Sequence, residues 1–185
     1  MKKVLMVMAA AAAVLSLAAC AGNANSSSSS QNDSAQTSEQ QETMLGTSVF
    51  TEEDGVLTYL DTERSPFDGA GLKITVDKPA KTVKFVKTGL DGSETVEYYN
   101  FDFNSNTVEQ YYYVSMMGTG FYYTFDLDAG EIVKVEDSDR NDSTQSAKDN
   151  GRYDSANERM KSDVEALQNY FTKQYGVEIS DMVND

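Results

Sequence analysis

Between residues 121 and 128 the chain alternates without interruption. Phe121, Tyr123, Phe125 and Leu127 fall on one side, and Tyr122, Thr124, Asp126 and Asp128 on the other. Period two with a polar, partly acidic second side predicts a half-buried antiparallel strand. Shorter runs rich in β-branched and aromatic residues, bounded by Gly, Asn and Asp, begin at Val49-Phe50 and recur over 56–60, 72–76, 81–87, 94–103, 108–117 and 132–135. The last four strands are joined by short turns and read as a meander. After Val135 this pattern stops: residues 136–152 hold one Ala and no larger hydrophobe. Tyr153, Ala156, Met160, Val164, Leu167, Phe171 and Tyr175 then recur at steps of three and four, one stripe of an amphipathic helix. Ser155 and Glu158 fit a capping box at its start, and Gly176 fits a left-handed cap at its end. Residues 180–183 predict one more short turn. The expected fold is α+β: an antiparallel β-meander of about six to eight short strands, with one C-terminal amphipathic helix on a face.

The N-terminus has a different character. Lys2 and Lys3 precede a run from Val4 to Ala19 that is apolar except for Ser16, then the only cysteine of the chain. The run is short of the roughly 20 residues a membrane-spanning helix needs and suits a secretory signal. Leu17-Ala18-Ala19-Cys20 resembles the lipobox of bacterial lipoproteins, a large aliphatic residue and two small ones before Cys. The resemblance covers the first twenty residues and implies a diacylglycerol on the Cys20 sulfur and cleavage before it. It also implies attachment to the outer face of the cytoplasmic membrane of a Gram-positive bacterium, with the outer membrane of a Gram-negative cell as the alternative. Lipidation gives a lone cysteine in an exported chain a reason to exist.

Residues 20–43 read as the lipidated Cys and a Ser-rich flexible tether, because beyond Cys20 they carry three Ala, no larger hydrophobe and five consecutive Ser, Ser26 to Ser30. As a random coil such a tether reaches about 25 Å. Residues 44–185 are expected to form a single acidic domain. A small lipocalin-like β-barrel with a helix beside it is the alternative closure of the same strands.

The charge narrows the function. The formal net charge is −15 over 185 residues, and Lys2 and Lys3 would leave with the signal, so the exported part is more acidic still. Such a surface repels phosphate backbones, which excludes nucleic acid as a partner. With no His and one Cys, the chain cannot build Ser-His or Cys-His catalysis, an internal disulfide or a His-ligated metal site. The expected partners are the membrane, through the lipid, and an extracellular protein, peptide or glycan. No cofactor is expected beyond the lipid, with calcium as a weak candidate.

Three features carry candidate chemistry. Asp137, Asp139, Asn141 and Asp142 resemble the start of a calcium loop, but position six is Asp142 instead of Gly and position twelve is Lys148 instead of Glu. Tyr112 and Tyr122 are expected on the solvent side of their strands as ligand-contact aromatics. Asp126 and Asp128 share a strand face, the minimum for a carboxylate-dependent cell-wall hydrolase, though they read better as a polar face and turn. The resulting expectation is a non-enzymatic binding or accessory module. A calcium-stabilised module and the hydrolase are the alternatives.

Overall fold

The polar hairpin that opens the described structure already departs from the sequence reading. A computed structural model describes residues 41–184, and its first strand, β1 (Gln41–Leu45), begins three residues ahead of the expected domain start. The expected signal peptide, Cys20 and most of the expected tether lie outside the described residues. Eight further strands follow: β2 (Ser48–Glu53), β3 (Val56–Asp61), β4 (Gly71–Asp77), β5 (Thr82–Thr88), β6 (Glu94–Asp102), β7 (Thr107–Val114), β8 (Thr119–Asp126) and β9 (Glu131–Glu136). All pair antiparallel with their sequence neighbours in the order β1 to β9. Nine strands thus replace the expected six to eight. The sheet is open, with no β1–β9 pairing among the described residues, so the barrel alternative is set aside.

The alternation seen in the sequence becomes two faces. Phe50, Leu57, Ile74, Val76, Val83, Phe85, Tyr99, Phe101 and Val108 point inward and are fully buried. They meet α2 (Arg152–Tyr175), whose buried stripe is Ala156, Met160, Val164, Leu167, Tyr170, Phe171 and Tyr175. The helix crosses the strands: Asn157 bonds the Ile132 amide on β9, Phe171 meets Phe85 edge-on at 6.0 Å, and Tyr175 meets Phe50 at 5.4 Å. Gly176 ends α2 in the left-handed conformation, as expected. The capping box is not formed. The chain enters α2 through Gly151, and Ser155 lies inside the first turn, where its hydroxyl donates to the Arg152 carbonyl. Gly46 marks where the β1–β2 hairpin touches the end of α2; a Cβ there would sit 2.5 Å from the Gln174 carbonyl oxygen.

The polar segment after Val135, where the strand pattern stops, holds α1 (Thr144–Asp149), and Ser180–Val183 forms a closing 3-10 turn. The α1 region covers the free edge of β9. Thr144 Oγ1 accepts from the Val135 amide at 2.9 Å, the Ser143 amide donates to the Val135 carbonyl at 2.8 Å, and Tyr153 donates to the Ile132 carbonyl. An edge whose amides and carbonyls are engaged in this way is a poor template for another strand. No helix among the described residues is long and apolar enough to cross a membrane.

Candidate functional site

The face of the sheet turned away from α2 carries a ladder of tyrosines. Antiparallel register sets Tyr98 opposite Tyr111 and Tyr111 opposite Tyr122. Their ring centres lie 6.2 Å and 4.7 Å apart along the ladder, within the range of favourable aromatic pairs. Gly120 makes room for the middle ring, since a Cβ there would collide with Tyr111.

Charged groups bracket the ladder. Tyr98 donates to Glu109 Oε1 at 2.7 Å, and Lys84 Nζ sits 4.1 Å above the Tyr98 ring. Arg140 lays its guanidinium on Tyr122, with Cζ 3.3 Å from the ring centre. The same guanidinium donates to Glu109 through Nη1 at 2.6 Å and Nη2 at 3.2 Å, a two-pronged ion pair, and Nη1 reaches Glu136 at 3.4 Å. Burial pushes the Glu109 carboxyl up, but the hydrogen bonds from Arg140 and Tyr98 outweigh it and hold the group below the usual carboxylate range. Burial and the bond to Glu109 push the Tyr98 hydroxyl up, so it stays a donor at neutral pH.

The loop read as a calcium candidate is what delivers Arg140 to this face. Asp137 Oδ1 accepts from the amides of Asp139 and Asn141, both at 2.9 Å, and the Asn141 side chain donates to both Asp137 oxygens. Arg140 takes a left-handed backbone, φ 66°, to complete the turn. Asp142 Oδ1 caps the Thr144 amide at 2.9 Å. Asp137 and Asp142 are therefore occupied with the chain's own amides, and no group of three metal-ligating side chains comes together among the described residues. Asp137→Ala is expected to loosen Arg140 from Tyr122. Amide hydrogen exchange should rise at Asp139 and Asn141 and stay unchanged in β4 and β5.

Of the two tyrosines expected outside, Tyr122 stands in the ladder. Tyr112 does not: it lies on the helix side with Val108 and Gln110, half-buried, and Arg159 of α2 covers its ring at 4.0 Å. The Asp126 and Asp128 pair also resolves into local structure. Asp126 Oδ1 accepts from the amides of Asp128 and Ala129, shaping the β8–β9 turn, and Asp128 is exposed.

Tyr98, Glu109, Tyr111, Lys84 and Arg140 were not singled out from the sequence. In an antiparallel hairpin the turn fixes the register, so the turns at 104–106 and 115–118 already set the three tyrosines opposite one another. Arg140 carried no comparable signal, because its position depends on the fold of its loop.

A recess opens where β6 and β7 part. The β6–β7 pairing runs only from Tyr98 to Asp102 on β6, so the strands part beyond it. A groove of about 380 Å³ lies there, lined by Gly69, Lys87, Val96, Glu97 and Tyr113 among others. Lys87 pairs with Glu97 at 3.2 Å and lies 4.6 Å above the Phe67 ring.

No protein-family model, curated protein or solved structure matches the chain.

Proposed function

We propose that the chain is a lipid-anchored lipoprotein on the outside of a bacterial cytoplasmic membrane, and that its domain is a non-enzymatic binding module for an extracellular polypeptide. The observation that carries the anchor is Leu17-Ala18-Ala19-Cys20, with the only cysteine at the end of an apolar run. Support for a binding role comes from the outer sheet face, which offers aromatic edges and paired charges. A polypeptide suits this surface better than a sugar. A sugar ring needs an open aromatic face, whereas Arg140 already covers Tyr122 and Lys84 lies over Tyr98. Polypeptide edges and side chains can add to a mixed surface of hydrogen-bonding and aromatic groups.

Cys20→Ala tests the anchor. In a bacterial host that makes lipoproteins, the parent chain should fractionate with membranes and take up radiolabelled fatty acid. The variant should lose the label entirely. A variant that keeps the label contradicts the reading.

A further inference from the structure

The longest stretch of the described body without a charged residue is 110–125, which contains no Asp, Glu, Lys or Arg in a chain with 30 acids. It forms the facing halves of β7 and β8, and its turn carries Met116 and Met117. Met116 is 98% exposed and Met117 57% exposed. The turn does not need them. Its bonds are main-chain ones, from Met117 N–H to the Val114 carbonyl and from Gly118 N–H to the Ser115 carbonyl. Neither methionine packs into the core. Exposed Tyr113 stands just behind them, and exposed Leu90 and Val96, from the β5–β6 hairpin, lie at the same end of the sheet.

We propose that this hairpin tip dips into the surface of the lipid bilayer, with Met116 and Met117 entering first. The inference rests on the anchor reading for the source of the bilayer. A projecting turn with no walls around it fits a fluid surface, where a protein partner would have to supply a pocket. Methionine is unbranched and adapts to such surroundings, and tyrosine favours the level of the headgroups. The charge-free span lets the 115–118 turn enter the bilayer surface without desolvating a charge of its own, while Asp91 and Glu94 on the neighbouring hairpin and Asp137 and Asp139 beside Thr119 keep the entry shallow.

Chain length permits it. Twenty residues separate Cys20 from Gln41, enough to extend about 65 Å. An eight-residue strand such as β7 is about 27 Å long. A tether in the same bilayer also keeps the tip at high local concentration, so a weak insertion is populated.

The absence of tryptophan gives a clean probe. Met116→Trp and Ala129→Trp place single reporters at opposite ends of the sheet, the second in the exposed β8–β9 turn. Each full-length protein, purified from membranes, is reconstituted in phosphatidylcholine vesicles brominated along the acyl chains. Met116→Trp emission should be blue-shifted and quenched several-fold more than Ala129→Trp emission. Equal quenching overturns the proposal, as does a blue shift that appears without quenching and grows with protein concentration, which would assign the tip to a second copy. If the protein carries no lipid, the anchor reading fails on its own, and the same variants with added vesicles still decide the tip.

Discussion

Phe171→Ala should lower the unfolding free energy by about 3–5 kcal/mol, the largest single effect expected in the molecule. Phe171 is fully buried between the last turns of α2 and strand β5. Its ring meets Phe85 at 6.0 Å and Tyr175 at 4.7 Å, and Tyr175 in turn packs on Phe50. Removing it takes away transfer energy and leaves a cavity between strand β5 and the helix, elements that cannot fully close inward together. Urea denaturation should show a lower midpoint with an unchanged slope, since the same surface is exposed on unfolding. Lys161→Ala, on the exposed side of the same helix, should stay near the parent value.

Asp61→Asn is expected to cost about 2–3 kcal/mol at neutral pH through weakened charge-assisted hydrogen bonds. Asp61 ends β3 with 2% of its surface exposed. Its carboxylate accepts from Tyr170 at 2.7 Å and from the amides of Glu63 and Arg64 at 3.1 and 3.0 Å, and pairs with Arg64 Nε at 3.2 Å. Arg64 passes the link on to Ser48 and Tyr59, both at 2.9 Å. Two strands, the loop after β3 and α2 are tied through this one acid.

Burial alone would push the Asp61 carboxyl up, but Tyr170, the two amides and the Arg64 charge outweigh it, so the folded group lies below its ordinary value. A carboxylate lowered by folding stabilises the native state above its unfolded pKa, about 3.9, and that contribution is lost as pH falls through the lower folded value. The parent protein should therefore lose stability on acidification below about pH 4 more steeply than Asp61→Asn. Melting temperatures from pH 7 down to pH 3 check the sign: the gap between the two proteins should narrow toward acid. The same network holds the Tyr175 hydroxyl protonated. Burial pushes it up, as does the Asp61 charge, to about 12 despite the opposing bond with Tyr170.

The elements easiest to read were those whose periodicity and burial agree. The Phe121–Phe125 side of β8 and the helix stripe from Ala156 to Tyr175 are buried as their spacing required. Pairing, more than composition, makes β1 a strand. Gln41-Glu-Thr-Met-Leu45 has little apolar content, and Thr43 secures it by donating to Glu52 on β2 at 2.7 Å. The α1 helix carries no stripe to read, because its buried side chain is only Ala147 and its work is to cover the β9 edge. Tyr112 lies on the face opposite to the expected one, and three adjacent tyrosines hide the strand's parity. The key to that parity is Gln110, a polar residue with 1% exposure that lies inward and donates to the Tyr99 hydroxyl at 2.7 Å. An inward glutamine looks like a solvent residue in one dimension. Asp61 is hidden for the same reason, since its partner Tyr170 lies 109 residues away.

The identity of residue one in the mature chain tests the account most directly. Cleavage after Glu should release a peptide running from the mature N-terminus to Glu39, because no Glu lies between Cys20 and that residue. Mass spectrometry of protein taken from bacterial membranes should find this peptide starting at Cys20 and carrying a diacylglyceryl group. A peptide that begins before Cys20, or one that begins at Cys20 with a free thiol, would contradict the anchor on which the proposed function rests.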